Sequence, residues 1–236
     1  MSEFDYDSIP TGYYDTIYRQ NKGVQSKWHY LKFKFFQEHI RTTDRLLDIG
    51  CGPGTFLGNF NQYASAMGID ISAAQIDYAT QHYATKQRTF STFSGNALPF
   101  EDASFDVVTL IEVIEHVSPE VVDHLFSEAY RVLKPGGRFY VSTPNYGSLW
   151  PLLEKAVNAK AEVTYEEQHI NLFKRDRLQA ELVNVGYPEV RVRAYQLFAP
   201  FMAALSGSFA DHCYLLDRGC LSSRMGFLLF ATAIKH

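Results

Sequence analysis

Short apolar segments alternate with amphipathic segments along the chain from residue 45 onward. The apolar segments predict strands at Arg45–Ile49, Ala66–Asp70, Thr89–Ser94, Phe105–Glu112, Arg138–Thr143, Glu189–Tyr195 and Phe227–Ile234. The amphipathic segments predict helices at Phe56–Tyr63, Ala73–Thr85, Glu120–Leu133 and Asp176–Val185, the last capped by Gly186. Strands that alternate with helices are typical of an α/β fold with a parallel, doubly wound sheet.

This pattern divides the chain into an N-terminal helical arm, residues 1–44, and a core, residues 45–236. In the arm, Tyr13–Arg41 carries aromatic and apolar residues at roughly helical spacing, which predicts one or two helices capping the core. Two connections in the core, residues 145–174 and 196–225, are far longer than most loops, and such connections are often functional. We therefore expect both to bind substrate.

Two groups of residues leave the choice between packing and ligand contact open. Leu197–Leu216 is apolar at helical spacing and either packs on the sheet or forms a lid suited to an apolar acceptor. The arm contains Tyr6, Tyr13, Tyr14 and Tyr18. These tyrosines either pack in an amphipathic helix or close over a cationic ligand, which aromatic rings attract.

Composition narrows the class of protein. The 236 residues are 46% hydrophobic and 20% charged, as in a folded globular protein rather than a disordered one. A net charge of −4 argues against general binding to the phosphate backbone of nucleic acids. The three cysteines lack zinc-type spacing, and neither a signal peptide in Met1–Pro10 nor an apolar run of membrane-spanning length is present. We therefore expect a cytoplasmic protein.

The segment Leu46–Thr55 is a strand that runs into a glycine-rich turn and then a helix. Its G-x-G-x-G spacing lets the backbone approach a ligand closely, at the edge where open α/β sheets bind ligands. A dinucleotide site would use the same architecture, but Thr55 stands where its third glycine is required. Asp48 would repel a pyrophosphate and suits a ligand with an ammonium and a sulfonium group. Asp70, at the end of the next strand, suits ribose hydroxyls.

Further segments follow in the order of a known family. Ser94–Phe100 precedes Ser104-Phe105-Asp106, and Leu133-Lys134-Pro135-Gly136-Gly137 precedes the next strand as a stop and tight turn. With the glycine loop, these segments resemble the class I S-adenosylmethionine-dependent methyltransferases over about Arg45–Asn145. The resemblance implies a Rossmann-like sheet of seven strands, mostly parallel with the last strand antiparallel. It also implies S-adenosyl-L-methionine as cofactor and S-adenosyl-L-homocysteine as product.

The resemblance assigns cofactor contacts position by position. It implies that the methionine moiety of the cofactor is bound by Asp48, Gly50, Cys51, Gly52 and Gly54, and that Ile111 contacts its amino-acid portion through the backbone. It also implies that Asp70 and Ile71 contact the ribose and the face of the adenine, and that Asn96 and Ala97 contact the edge of the adenine. Because the methyl group is already activated by the positive sulfur, the protein mainly has to align an acceptor with it.

The pattern E-x-x-E-H at Glu112–His116 follows the fourth strand, at the mouth of the expected cofactor crevice. It is closest to the ubiquinone-biosynthesis O-methyltransferases. It also resembles the small-RNA 3′-end 2′-O-methyltransferases, in which the equivalents of Glu112, Glu115 and His116 hold a divalent metal with a downstream histidine, here His169.

Three interpretations of these residues stay open. They bind a metal that activates a hydroxyl group; or His116 or His169 is a metal-free general base; or Glu115 and His116 cap the helix near Pro119 while His169 orders a loop. We take His116 and His169 as the candidate catalytic residues, with no metal assigned.

The predicted function is methyl transfer from S-adenosylmethionine to a small molecule. The expected acceptor atom is a hydroxyl oxygen. If Leu197–Leu216 forms a lid, we expect the acceptor molecule to have an apolar part. The alternatives are a metal-dependent RNA 2′-O-methyltransferase, a cofactor-binding subunit without catalysis, and a dehydrogenase. RNA is disfavoured because basic residues cluster only at Lys174–Arg177 and Arg191–Arg193.

Overall fold

The computed structural model describes residues 9–93, 97–158, 169–217 and 222–236. In them, seven strands form one sheet in the order β3-β2-β1-β4-β5-β7-β6. The strands are β1 (Arg45–Ile49), β2 (Ser65–Asp70), β3 (Arg88–Thr92), β4 (Phe105–Ile111), β5 (Leu133–Pro144), β6 (Glu189–Tyr195) and β7 (Leu228–Ile234). The pairs among β1–β5 are parallel, and β7 runs antiparallel to both β5 and β6. The predicted α/β fold with an antiparallel last strand is confirmed.

Helices cover both faces of the sheet. They are α1 (Tyr13–Gln20), α2 (Gly23–Gln37), α3 (Thr55–Gly58), α4 (Ala73–Tyr83), α5 (Pro119–Val132), α6 (Trp150–Asn158), α7 (Arg175–Val185), α8 (Gly207–Asp217) and α9 (Ser222–Met225), with a 3₁₀ helix at Ala199–Ala204. Side chains alternate between two cores along each strand. In β5, Phe139 packs with α5 and α7, whereas Tyr140 packs with α2 and α8.

The strand order reverses at β1, and this reversal determines where the ligand crevice lies. Strand β1 pairs with β2 on one side and with β4 on the other, both in parallel. Because the connections from β1 and from β4 leave towards opposite directions along the sheet, a crevice opens at the carboxyl ends of these strands. The glycine loop after β1, Asp70 at the end of β2 and Glu112 after β4 all lie at this edge.

The arm shares a core with the sheet. From α2, Leu31, Phe35 and Phe36 are almost fully buried among the side chains of the second core. From α1, the buried Asp15 accepts hydrogen bonds from the hydroxyl groups of Tyr78 and Tyr83 on α4. These contacts hold the arm beside α3 and α4, next to the glycine loop.

Two local predictions are wrong. The predicted helix Phe56–Tyr63 ends at Gly58, where the ring of Tyr83 lies so close that a Cβ atom would overlap it. The carbonyl of Leu57 instead accepts a 2.7 Å hydrogen bond from the buried Arg88 guanidinium. The predicted tight turn at Lys134–Gly137 is part of β5, which pairs irregularly with the start of β4, and Gly136 takes a positive φ of 77° there.

The second long connection, residues 196–225, packs on the arm and the sheet through one side. Phe198 and Met202 pack against the second core, and the buried Asp217 accepts hydrogen bonds from the N–H groups of residues 197–199. Its other side is exposed, with Leu205 at 77% and Leu216 at 72% of their full surface. Packing is thus observed for part of the segment that the sequence left open.

None of the helices in the described part of the chain combines the length and the apolar character that crossing a membrane requires.

Candidate functional site

Three glycines shape the loop after β1. Gly50, Gly52 and Gly54 have φ angles of 74°, 51° and 74°, in the left-handed region that side chains disfavour. A Cβ atom on Gly54 would lie 2.8 Å from Cβ of Ala79, and one on Gly50 would overlap Val113. Both the backbone conformation and the space therefore require glycine at these two positions.

The carboxylate of Asp70 is fixed by the backbone around it. The N–H of Gly52 donates to Oδ2 over 2.7 Å, and the N–H of Ser72 donates to Oδ1 over 2.9 Å. Burial raises the pKa of Asp70 and outweighs the opposing effect of these backbone hydrogen bonds. Each carboxylate oxygen has two lone pairs, so the group retains the capacity to accept from a ligand hydroxyl.

Asp48 lies beneath the loop rather than on its surface. Only 2% of the residue is exposed, and the hydroxyl of Thr109 on β4 donates to its Oδ1 over 2.6 Å. Burial, and secondarily the charge of Asp70, raise the pKa of Asp48 to about 7 despite that hydrogen bond. The neighbouring Cys51 is also buried, and burial raises the pKa of its thiol well above the ordinary value. Cys51 is therefore a neutral thiol at physiological pH.

Of the four remaining predicted cofactor residues, the structure describes three. Ile71 is 52% exposed, beside a cleft of about 460 Å³ lined by Ile9, Thr11 and residues 71–75. Ile111 ends β4 and is half-buried. Ala97 is exposed at the start of a described segment, and Asn96 falls on the residues that the structure does not describe.

Glu112 is held by two elements in an unusual conformation. Its φ of 57° is rare for a residue with a side chain, and such backbone strain is concentrated at functional sites. The hydroxyl of Ser142 on β5 donates to its Oε1 over 2.9 Å, and Nζ of Lys32 on α2 lies 3.8 Å from its Oε2. Lys32 is almost fully buried, and nothing in the sequence pattern of the arm distinguishes it from a solvated helix lysine.

Glu115 points its carboxyl group into the protein. It is 1% exposed, and its Oε2 accepts a 2.9 Å hydrogen bond from the hydroxyl of Thr143. Its Oε1 has no hydrogen-bond partner among the described residues and lies 4.0 Å from Nε2 of His116. Burial and then the charge of Glu112 raise the pKa of Glu115 well above its ordinary value. A neutral carboxyl group is thus favoured at this position.

The structure brings together His116 and His169, although they are far apart in the chain. Their ring centroids are 5.0 Å apart. The N–H groups of Ile170 and Asn171 donate to the carbonyl of Glu115, which pins the segment after residue 168 against the end of β4. One ligand atom from each of Glu115, His116 and His169 lies within 4.8 Å of the others.

Glu112 is not part of that three-residue group. Of the four residues that the resemblance assigned to a metal, the structure therefore places three together, while the carboxylate of Glu112 contacts Ser142 and Lys32. The interpretation of Glu115 and His116 as a helix cap is wrong. Helix α5 begins at Pro119, and the hydroxyl of Ser118 accepts from the N–H of Val121 as its cap.

Sequence reasoning missed two residues that contact His169. Nδ1 of His169 lies 2.5 Å from Oε1 of Glu154 and 2.8 Å from the hydroxyl of Tyr146, which also donates to Glu154 over 2.9 Å. Burial opposes ionisation of Glu154, but the hydrogen bond and charge of His169 outweigh it and lower the pKa of Glu154. Burial, followed by the charge of Glu154, raises the pKa of Tyr146 well above its ordinary value. The only sequence indication was a single acid on an otherwise apolar turn of the first long connection.

An aromatic group forms where the arm meets both long connections. Trp28 from α2 lies 5.5 Å from Trp150 of α6 and 6.1 Å from Phe201 of the 3₁₀ helix, between ring centroids. Phe227, just before β7, lies 5.9 Å from Phe201. Since Trp150 is one turn before Glu154 on α6, this aromatic group adjoins the residues that hold His169.

Three arginines of the basic segments considered for RNA contact their own chain. The guanidinium of Arg177 pairs with Glu181 at 2.7 Å, and that of Arg175 donates to the carbonyl of Ser223. The guanidinium of Arg193 lies over the ring of Phe35 at 4.7 Å. These contacts are those of surface arginines that pack on their own chain.

Comparison with known proteins agrees with this geometry. Residues 47–141 match a family described as a methyltransferase domain. The chain is 34% identical over 142 residues to the demethylmenaquinone methyltransferase of Symbiobacterium thermophilum, covering 57% of this chain and 55% of that protein. It is 38% identical over 104 residues to the ubiquinone biosynthesis O-methyltransferase of Brucella ovis, covering 43% and 41%. The chain thus spans about half the length of these relatives.

Among solved structures, a SAM-dependent methyltransferase from Thermotoga maritima superposes with a TM-score of 0.67 over 94% of both chains, at 17% sequence identity. At that identity the likeness concerns the fold. The strand order, the glycine loop at the end of β1 and the match over residues 47–141 lead to one assignment. The chain has the fold of the S-adenosylmethionine-dependent methyltransferases, and its residues 47–141 are similar to the methyltransferase-domain family.

Proposed function

We propose that this protein transfers the methyl group of S-adenosylmethionine to a hydroxyl oxygen of a small, largely apolar molecule. The observation that carries the proposal is the pairing of His116 and His169, 5.0 Å apart, at the sheet edge that also holds the glycine loop. Two imidazoles beside a cofactor crevice offer a base for a hydroxyl proton. A hydroxyl acceptor needs such a base, because a neutral hydroxyl oxygen is a weak nucleophile until it loses its proton.

The described residues of the crevice fit the cofactor in shape and charge. Open space adjoins the backbone at Gly52, Asp70 offers acceptors for ribose hydroxyls, and Ile71 adjoins a cleft of the size that small ligands occupy. Asp70, together with Asp48 when it is ionised, gives this edge negative charge, which favours a cation. S-adenosylmethionine, when bound, supplies an activated methyl group, and Gly50, Cys51, Gly52, Gly54, Ile111, Asn96 and Ala97 complete the proposed binding set.

The protein then has to align the acceptor and to take its proton. As the oxygen bonds to the methyl carbon and the carbon–sulfur bond breaks, His116 or His169 accepts the hydroxyl proton. The buried, neutral Glu115 beside both rings excludes water and leaves the base role to the imidazoles. The aromatic group of Trp28, Trp150 and Phe201 supports an apolar body for the acceptor.

A metal-assisted variant of the same site has support of its own. Glu115, His116 and His169 offer one carboxylate oxygen and two imidazole nitrogens within 4.8 Å of one another, a donor set that suits a divalent transition metal. Arg177 and Arg193, which could attract RNA, contact their own chain, and this favours a small molecule over RNA for this variant as well. Activity that survives exhaustive chelation excludes it.

The test uses S-adenosylmethionine labelled with ¹³C in its methyl group and a panel of phenols, aliphatic alcohols, amines and activated carbon acids. Carbon chemical shifts of the products distinguish O-, N- and C-methyl groups. We expect methylated oxygen. Products bearing only N- or C-methyl groups contradict the proposal.

Variants test the base. The two variants are His116→Ala and His169→Ala. We expect turnover to fall by about 10²- to 10⁴-fold in the variant that lacks the general base. Cofactor affinity should persist in both. His124→Ala, on the exposed face of α5, is the matched control. Unchanged turnover in both histidine variants contradicts the base role.

A further inference from the structure

We propose that Glu154 is a positioning residue, which holds His169 in the tautomer that carries its proton on Nδ1 and leaves Nε2 to accept the acceptor's proton. The inference rests on the proposed function, because it assigns the base role to His169. It adds a residue outside the methyltransferase match, on the first long connection.

With Glu154 ionised, the hydrogen-bonding capacity of Glu154, Tyr146 and His169 puts a proton on Nδ1 of His169. An ionised carboxylate only accepts, and a tyrosine hydroxyl donates one proton. The hydroxyl of Tyr146 lies 2.9 and 3.0 Å from the two oxygens of Glu154, and Nδ1 of His169 lies 2.5 Å from Oε1. With a bare Nδ1, two lone pairs would face each other at the shortest of these distances. Nδ1 therefore carries a proton that it donates to Glu154.

Because Glu154 and His169 are buried, this hydrogen-bond arrangement is costly to break. The side chains of Glu154 and His169 are 6% and 5% exposed, so water cannot replace a lost partner. An unmet buried polar group costs more than the net gain from an ordinary hydrogen bond.

The backbone beside His169 is also held. The next residue, Ile170, donates its N–H to the carbonyl of Glu115 over 2.9 Å. Among the residues that the structure describes, the titratable and charged groups near His169 are Glu154 of α6, Tyr146 after β5, and Glu115 and His116 after β4, with Glu112 and Lys32 beyond Glu115. Of these groups, Glu154 and Tyr146 lie within hydrogen-bond distance of the ring.

The chemical consequence is a directed base. When Nε2 takes the hydroxyl proton, the ring becomes an imidazolium, and the carboxylate at Nδ1 stabilises that positive charge. Proton and charge are balanced, because the proton leaves the acceptor oxygen for Nε2 while Glu154 stays ionised. The pairing of a histidine with a carboxylate at its remote nitrogen fixes both the tautomer and the ring orientation.

The first experiment measures the tautomer directly in the 236-residue chain. Long-range ¹H–¹⁵N correlation spectra distinguish protonated from bare imidazole nitrogens, and the spectrum of His169→Gln assigns the His169 signals. We expect a protonated Nδ1 and a bare Nε2 in the wild type. In Glu154→Gln, which keeps the shape, we expect a mixed or inverted tautomer, and in Glu154→Leu a loss of the preference. A wild type protonated on Nε2, or an unchanged tautomer in both variants, overturns the proposal.

The second experiment connects the tautomer to the reaction. Glu154→Gln should lower kcat at least about 10-fold, with the KM for S-adenosylmethionine unchanged, and Glu154→Asp should restore part of the loss. Glu101→Gln, an exposed acid, is the control. A changed tautomer with unchanged kcat overturns the positioning role.

The outcomes separate this inference from the proposed function. If His169→Ala leaves turnover intact while the wild-type tautomer is as expected, the base assignment fails and the pairing is structural. If His169→Ala abolishes turnover but Glu154 does not affect the tautomer, the proposed function stands and the inference fails. If the Glu154 variants do not fold, the wild-type spectrum alone still decides the tautomer.

Discussion

The backbone N–H of Gly52 donates a 2.7 Å hydrogen bond to Oδ2 of Asp70, joining the glycine loop after β1 to the end of β2. The same carboxylate receives the N–H of Ser72 at the start of α4. Asp70 therefore organises the loop whether or not a ligand is present. A ligand that binds at this edge meets a carboxylate whose position is already fixed, and this lowers the entropic cost of binding.

Replacing Asp70 should weaken cofactor binding markedly. Asp70→Ala removes the proposed ribose contacts and releases the N–H of Gly52, and each charge-assisted hydrogen bond contributes about 1.5–3 kcal/mol. We expect an affinity loss of at least about tenfold, the equivalent of about 1.4 kcal/mol. Isothermal titration calorimetry with S-adenosylmethionine measures it. Asp77→Asn, on the exposed face of α4, should bind normally. Equal affinities in both variants would remove Asp70 from the site.

Gly54 should tolerate a methyl group less well than Gly23, although both have positive φ angles, 74° and 76°. The left-handed conformation costs alanine about 1–2 kcal/mol at either position. Only at Gly54 does the new Cβ meet packed atoms, those of Ala79 and Phe90, and overpacking adds about 1–3 kcal/mol. Urea unfolding of Gly54→Ala and Gly23→Ala compares the two. A similar loss of unfolding free energy in both variants would show that the loop has room to adjust.

The raised pKa of Asp48 predicts two opposite pH effects. Its folded pKa of about 7 exceeds the ordinary 3.8, so the folded state retains a proton that the unfolded chain has lost between these values. The contribution of Asp48 to stability is thus present below the unfolded pKa and lost as pH rises through about 7. A cationic ligand, by contrast, favours the ionised form, and its affinity should rise over the same range.

Asp48→Asn should remove both effects. We expect the unfolding free energy of the wild type to fall more than that of the variant between about pH 5 and about pH 8. We expect the affinity for S-adenosylmethionine to rise with pH more steeply in the wild type than in the variant. The ligand's own amino group titrates equally in both titrations, so the difference isolates Asp48. If the pH dependence were the same in the wild type and in Asp48→Asn, a group other than Asp48 would be the one that titrates.

Lys32 should stabilise the end of β4 through Glu112. Lys32→Met leaves Glu112 and the buried Glu115 without that positive charge. We expect a loss between the ~1 kcal/mol of exposed ion pairs and the ~3–5 kcal/mol of fully buried ones. A double-mutant cycle with Glu112→Gln measures the coupling, and Lys22→Met, an exposed lysine, is the control. A coupling near zero would mean that Lys32 acts through packing alone.

The fold could be predicted from the sequence because the local pattern of apolar and polar residues indicates each strand and helix and the side of it that is buried. The apolar runs that form β4 and β5, and the glycines after β1, are local patterns, and the structure has a strand or a turn where each of them predicts one. The errors lie where a distant side chain intervenes. Tyr83 and Arg88 end the helix after the glycine loop at Gly58, and nothing within residues 55–63 indicates them.

The candidate site divides in the same way. By itself the sequence determined the crevice, since Gly50–Gly54 and Asp70 follow their strands directly and the carboxyl ends of parallel strands share one edge. Only the tertiary structure decided that His169 pairs with Glu154 and Tyr146, and that Lys32 reaches Glu112. The physical reason is that periodicity tells which face of a helix is buried. It does not tell against which strand that face packs, and a buried polar side chain takes its partner from that packing.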